Sequence, residues 1–202
     1  MVISLHKRKN LNFLAHYYLA EGDEGLIVGN MLADYMPGNK YKELSEPLQR
    51  GIILHRKIDE FTDTHPEVEK TKIRLRSTYR KYSPVISDVF YDYALGSNWS
   101  DYHQQPLKEF SKGIYKTLYN NVALLPEHAQ MVLSYMSKND WLYHYSTFYG
   151  IEKALQGLSR RAKFDTQMHR AIDDLKRDHK LVAEEFKVFF EDLRAFVNDF
   201  KN

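Results

Sequence analysis

Apolar side chains recur at helical spacing along most of this chain, and no stretch alternates between apolar and polar residues as a β-strand does. The densest repeat lies in Gln49–His65, where an apolar stripe would face the core; it consists of Ile52, Ile53, Leu54, Ile58 and Phe61. Hairpin signals, glycine-rich phosphate loops and internal repeats are absent from the sequence. We therefore predict an all-α fold, a single-domain helical bundle over residues 1–202.

Capping residues and prolines divide the chain into successive helices. Asn10 or Asn12 would cap the first helix, and Ser83 with Pro84 would begin a helix near the middle of the chain. The last stretch, Lys163–Phe200, is amphipathic and would form a C-terminal helix within residues 164–202. The other helices are expected at residues 11–20, 26–36, 45–64, 67–81, 83–95, 107–119, 126–145 and 148–158.

The composition argues against several kinds of partner and site. The chain carries 29 Lys+Arg and 27 Asp+Glu, a net charge of +2, so no overall charge excess favours nucleic acid or membrane as a partner. Cysteine is absent, which excludes disulfides and thiolate metal sites and agrees with a reducing cytoplasm. No apolar run approaches the roughly 20 residues of a membrane span. We expect a soluble, cytoplasmic protein whose metal ligands, where present, are histidine and carboxylate.

The central stretch also contains the main candidates for chemistry. His55, Asp59 and Asp63 follow one another at steps of four, which places their side chains close to one helix face, about 5–6 Å apart. Two of them could therefore reach one metal ion, although from the spacing alone an ordinary His–Asp pair on the surface is the commoner explanation. Arg56 and Lys57 flank this face, where they could meet an anionic substrate or lie at a solvated helix edge.

Other carboxylates stand at unfavourable positions. Asp34 lies at the C-terminal end of a predicted helix, where the helix dipole opposes a negative charge. Asp88 and Asp92 lie one helical turn apart and repel each other, so either a bound cation or exposure to solvent would relieve them. His16 on the first helix is either a ligand candidate or an ordinary core or surface histidine.

A cationic segment follows the central stretch. Between residues 70 and 81 the chain has six basic residues and no acidic one: Lys70, Lys72, Arg74, Arg76, Arg80 and Lys81. The segment is either a solvated helix face or a docking strip for an acidic partner, whose approach the charges would steer.

A series of motifs in a fixed order resembles the acyl carrier protein phosphodiesterase family. The motifs are NFLAH (12–16), GNMLAD (29–34), HRKIDEFTD (55–63), SPVISDVFYDYAL (83–95), Trp99, WLYHY (141–145) and IEKALQGLSRRAK (151–163). The resemblance implies an enzyme that removes the 4′-phosphopantetheine arm from holo acyl carrier protein by hydrolysing the phosphodiester at a serine. It also implies an unusual member of the HD phosphohydrolase superfamily that requires a divalent metal, with manganese favoured and magnesium or another ion as the alternative.

The resemblance further implies roles for individual residues. An HD-type site would draw its metal ligands from separate helices, and the candidates are Asp34, His55, Asp59, Asp88 and Asp92. The chain lacks the adjacent His-Asp pair of ordinary HD proteins, and the nearest counterpart is His55 with Asp59 four residues later. Arg56 would clamp the phosphate through two hydrogen bonds. Of His16 and His55, the one that does not bind metal would protonate the leaving seryl oxygen.

The cationic segment would then dock the acidic helix of holo acyl carrier protein. The sequence leaves two alternative functions open. One is a metal-dependent phosphohydrolase acting on a small phosphate ester or nucleotide, and the other is a non-enzymatic helical interaction module. The oligomeric state does not follow from the sequence.

Overall fold

The computed structural model describes residues 13–162, 164 and 166–201, and this part of the chain is all-α without a strand. The described residues form ten α-helices joined by loops and short 3-10 turns. They are α1 (Phe13–Ala20), α2 (Glu24–Ala33), α3 (Glu46–Thr64), α4 (Pro66–Tyr79), α5 (Ser83–Ser97), α6 (Leu107–Asn120), α7 (Glu127–Lys138), α8 (Trp141–His144), α9 (Phe148–Arg161) and α10 (Ala171–Lys201). None of them combines the length and apolar character needed to cross a bilayer. The predicted all-α, single-domain class is confirmed.

Helix α5 forms the centre of the bundle. Its side chains are buried almost all the way round, and α1, α4, α9 and α10 pack against it. Such a helix is expected where apolar residues cover every face, as in the segment from Val85 to Leu95. The burial also encloses Asp88 and Asp92, so exposure to solvent does not relieve their charges.

Asp92 binds the beginning of α1. Its two carboxylate oxygens accept hydrogen bonds from the backbone N–H groups of Leu14 and Ala15, at 3.1 and 3.0 Å. These N–H groups lie in the first turn of α1, where no carbonyl of the same helix can accept their hydrogen bonds, and the helix dipole also favours a negative charge there. The bond fixes α1 to α5 and thereby places His16. The predicted caps Asn10 and Asn12 lie outside the described residues.

Helices α2 and α3 approach until their backbones touch. A Cβ atom on Gly29 would lie 2.6 Å from the Cα atom of Gly51, and one on Gly51 would lie 2.7 Å from the Cα atom of Gly29. Gly25 meets Pro47 in the same way one turn earlier. The glycine inside an apolar helix, which is unfavourable for helix formation by itself, is therefore explained by packing.

Several helix ends differ from their predicted positions. The segment 126–145 is two helices, because Asp140 adopts a left-handed backbone (φ 42°) that interrupts the helix between α7 and α8. The last helix begins only at Ala171, since Gln167 is also left-handed (φ 51°) and a 3-10 turn follows it. Helix α2 ends at Ala33, which makes Asp34 its C-cap residue.

We predict that Gly29→Ala lowers the free energy of unfolding by about 2 kcal/mol, because separating two backbones costs more than the helix gains from alanine. Chemical denaturation followed by circular dichroism measures the change. Gly113→Ala in α6 is the matched control, since a Cβ there would meet nothing within 4 Å. It should stabilise the protein by about 0.5–1 kcal/mol through helix propensity alone. Equal effects at the two positions would contradict the close contact.

Candidate metal centre

Three helices bring four polar side chains together in the interior. His16 comes from α1, Asn30 from α2, and His55 and Asp59 from α3. The Nε2 atom of His16 lies 3.2 Å from Oδ1 of Asp59, and Nε2 of His55 lies 3.3 Å from Oδ2 of the same carboxylate. Both histidines are buried, and Asp59 is partly exposed. One face of Asp59 is therefore accessible while the imidazoles are enclosed.

Asn30 orients both imidazole rings. Its side-chain nitrogen Nδ2 donates to the backbone carbonyl of Leu26 at 3.0 Å, which directs the amide oxygen Oδ1 towards the histidines. This oxygen lies 3.2 Å from Nδ1 of His16 and 3.3 Å from Nδ1 of His55. Because Oδ1 can only accept, the protons of the neutral rings stand on Nδ1 and the Nε2 lone pairs face Asp59. A metal-binding histidine is commonly held in this way.

Two buried polar atoms at the centre lack a hydrogen bond. Nε2 of His16 and Oδ1 of Asp59 are close, but the pair does not have hydrogen-bond geometry, and neither atom has another partner. A buried polar atom without a partner costs about 1–3 kcal/mol, and a cation bound between these two atoms would satisfy both. Within the described residues, the ligand atoms of His16, His55 and Asp59 all lie within 4.8 Å of one another. Two imidazoles and a carboxylate are compatible with a divalent metal.

The electrostatics favour a neutral His16 and an ionised Asp59. Burial lowers the pKa of His16, and the nearby His55 lowers it further. Burial alone would raise the pKa of Asp59, but the close approach of the two imidazoles to its oxygens moves the pKa well below its ordinary value. For His55, burial would lower the pKa, and the interactions with Asp59 reverse the direction and raise it. A neutral His16 and an ionised Asp59 are the protonation states that bind a cation.

The remaining predicted ligands do not join this group. Asp34 lies near enough to His55 for its negative charge to raise the pKa of the imidazole. Asp92 is occupied at the beginning of α1, and the charge of Asp88 acts on Asp92. Asp63 accepts a hydrogen bond from Lys72. Metal roles for Asp34, Asp88 and Asp92 stay predictions.

Arg56 does not have the free guanidinium that a phosphate clamp needs. Its Nη1 and Nη2 atoms donate to the backbone carbonyls of Gly38 and Met36, at 3.0 and 2.6 Å. The guanidinium also lies over the ring of Tyr41, 4.7 Å from its centre. The arrangement does not support the predicted two-point clamp. These contacts of Arg56 hold the loop after α2 in place, and Asp34 lies at the beginning of that loop.

The six cations of the predicted docking strip divide into two groups. Lys72 is buried and donates to Asp63, and Arg74 forms two hydrogen bonds of 2.6 Å with the buried carboxylate of Glu185 on α10. These two side chains hold the bundle together. The other four are exposed: Lys70, Arg76, Arg80 and Lys81.

Sequence reasoning did not identify Asn30 as part of the site. Gly29 and Asn30 are two residues that the interior of an apolar helix rarely contains, and packing explains Gly29. The remaining signal was a polar residue at a position that faces the core, where asparagine is rarely placed without hydrogen-bond partners.

The fold and the centre together define an all-α protein with a candidate divalent-metal site of two histidines and one aspartate. A family model described as acyl carrier protein phosphodiesterase matches residues 11–193. The chain therefore belongs to the acyl carrier protein phosphodiesterase family, as the motifs predicted. The name of the family describes a phosphoric diester hydrolase.

Curated relatives cover most of the chain. An acyl carrier protein phosphodiesterase of Yersinia enterocolitica is 28% identical over 94% of this chain and 98% of the relative. That of Shigella boydii is 30% identical over 92% of this chain and 96% of the relative. One from Escherichia coli is 33% identical over 77% and 81%. No solved structure matched the chain, and the relation to HD phosphohydrolases stays a prediction.

We predict that Asp59→Asn lowers the pKa of His55 in the metal-free protein. The carboxylate raises this pKa against the effect of burial, so its loss leaves burial dominant and the pKa should fall below the ordinary value for histidine. A pH titration of the histidine ring signals by NMR measures the change. Asp192→Asn is the control, because Asp192 contacts a different histidine, His65. An unchanged His55 titration in Asp59→Asn would refute the proposed contact.

Proposed function

We propose that the protein is a metal-dependent phosphodiesterase that hydrolyses the linkage between 4′-phosphopantetheine and the serine of holo acyl carrier protein. The observation that carries this proposal is the buried group of His16, His55 and Asp59, whose facing ligand atoms include two without a hydrogen bond. Membership of a family named for phosphodiester hydrolysis on acyl carrier protein supports the choice of substrate.

The three side chains would hold the divalent cation, and manganese fits their donor atoms. Such a cation polarises a phosphoryl oxygen and lowers the pKa of a bound water. The protein's side chains orient the ligands, exclude water and position a neighbouring loop. Asn30 holds the imidazoles with their Nε2 atoms towards the site, and the buried rings exclude water from one side. Arg56 keeps the loop after α2 in place through its hydrogen bonds to Gly38 and Met36.

The carrier protein would dock against the exposed cations of α4 and of the turn that follows it. Arg76 has an exposed side chain paired with Glu69, and Lys81 is exposed beside the rings of Tyr82 and Phe164. Exposed ion pairs are weak and can be exchanged for a partner's carboxylates at little cost. Lys72 and Arg74 are excluded from this role by their internal contacts.

We predict manganese-dependent loss of the phosphopantetheine mass when the protein is incubated with purified holo acyl carrier protein. His55→Ala and Asp59→Ala should abolish the reaction and weaken manganese binding, because each removes a ligand. Asn30→Ala keeps all three ligands and should weaken manganese binding by about 10–100-fold. Mass spectrometry and calorimetric titration with manganese provide the two measurements, and His65→Ala serves as the control histidine.

Hydrolysis of a generic diester without any effect on the carrier protein would instead favour a phosphohydrolase of small esters. A protein that binds no manganese and leaves the carrier intact would be an interaction module.

We predict that neutralising Lys70, Arg76 and Lys81 together raises the KM for holo acyl carrier protein about tenfold or more and leaves kcat nearly unchanged, since charge acts on encounter. Steady-state kinetics at low salt measures both constants. A triple alanine variant of Lys108, Lys112 and Lys116 is the matched control, because it removes the same charge from the exposed face of α6. A higher KM in the control alone would move the docking surface to α6, and a loss of kcat would refute docking as the role.

A further inference from the structure

Arg80, which follows the last residue of α4, has a backbone conformation that arginine rarely adopts. Its φ is 50° and its ψ is −121°. These are the angles of the first central residue of a type II′ turn, a position that glycine usually occupies. A side chain there crowds the neighbouring peptide groups, so the conformation persists only where the surrounding structure fixes it.

Two other described residues that are not glycine have a positive φ, and their angles are easier to adopt. Asp140 (φ 42°, ψ 55°) and Gln167 (φ 51°, ψ 13°) lie in or beside the left-handed helical region, which some side chains tolerate. The negative ψ of Arg80 places it outside that region. Arg80 therefore has the most strained backbone of the three.

Backbone hydrogen bonds on both sides fix the conformation of Arg80. Its N–H donates to the carbonyl of Arg76 in the last turn of α4. Its carbonyl accepts a hydrogen bond of 2.9 Å from the hydroxyl of Ser83, the first residue of α5. Both bonds involve only the backbone of residue 80, so glycine would make them equally well and without strain. The turn explains the conformation, and it does not explain why the residue is an arginine.

The side chain of Arg80 has no role inside the described part of the protein. It is exposed, and within residues 13–162, 164 and 166–201 no group accepts a hydrogen bond from its guanidinium. The exposed Lys70 and Arg76 of the same cationic segment differ, because each pairs with a carboxylate, Glu67 and Glu69 respectively. A strained arginine with an unpaired guanidinium is understandable if the guanidinium binds a group on another molecule.

The surface around Arg80 fits a protein partner better than a free anion. Ile73 is a large apolar side chain that is 58% exposed, and Lys70 and Arg76 lie three residues before and after it on α4. Arg80 follows Arg76 by one further turn. A protein surface with carboxylates beside an apolar side chain would cover Ile73 and meet the cations, whereas a free phosphate or carboxylate would leave Ile73 in water.

We propose that Arg80 is the anchor of the docking surface and binds a carboxylate of acyl carrier protein through two hydrogen bonds, an inference that rests on the proposed function. The planar guanidinium presents two parallel N–H groups to a carboxylate, and lysine cannot reproduce this geometry. The fixed turn holds the arginine between α4 and α5, so little backbone freedom is lost when the partner binds.

Arg80→Gly tests the proposal because the change should raise stability and weaken binding at the same time. Removing the strain should raise Tm by about 2–4 °C. Losing the guanidinium should weaken binding of the carrier about tenfold and raise the KM for the holo form, with kcat nearly unchanged. Arg80→Lys keeps the charge and the strain, so its Tm should equal that of wild type while its binding is also weakened.

Arg50→Ala is the control, since it removes the same charge from an exposed arginine near the beginning of α3 and should bind as wild type does. Calorimetric titration of the full-length protein with apo acyl carrier protein at low salt measures docking without hydrolysis, because the apo form lacks the arm. Thermal melts give Tm, and steady-state kinetics with the holo form gives KM and kcat.

Apo carrier that does not bind wild type, or that binds wild type and Arg80→Gly alike, would overturn the anchor even where the holo form is hydrolysed. A lower Tm together with weaker binding in Arg80→Gly would assign Arg80 a structural role instead. Carrier binding that depends on Arg80, without hydrolysis of the holo form, would overturn the proposed function and keep the anchor.

Discussion

The backbone contact between α2 and α3 is the constraint on which the metal centre depends. With glycine at residues 29 and 51, the two helices lie close enough for Asn30 to reach His55 across the interface. Any larger side chain at this crossing would push the helices apart. The shift would lengthen the hydrogen bonds of Asn30 beyond their normal range. Two residues without side chains therefore determine the geometry of the polar group beside them.

A second constraint brings the third helix to the site. The buried carboxylate of Asp92 binds the first turn of α1 through two backbone N–H groups, and this bond fixes the position of His16. A metal role for Asp92 stays a prediction, and the structure shows that its carboxylate binds a helix end. Both explanations satisfy a buried acid, because a helix N-terminus offers N–H donors and positive potential in place of a cation.

The facing pair of His16 and Asp59 keeps polar atoms without a hydrogen bond. They are Nε2 of the imidazole and Oδ1 of the carboxylate, and both atoms are buried. Folding alone does not favour such atoms, since each lowers stability. Their presence is understandable if a cation binds between them.

The sequence by itself determined the helical class, most helix positions, the family and the pairing of His55 with Asp59, because each follows from local spacing along a single helix or from ordered motifs. It could not place His16 and Asn30 beside that pair or assign Arg56 and Arg74 to structural contacts. These facts depend on how helices cross and where their ends lie. Crossing is decided by packing between residues distant in sequence, which only the tertiary structure shows.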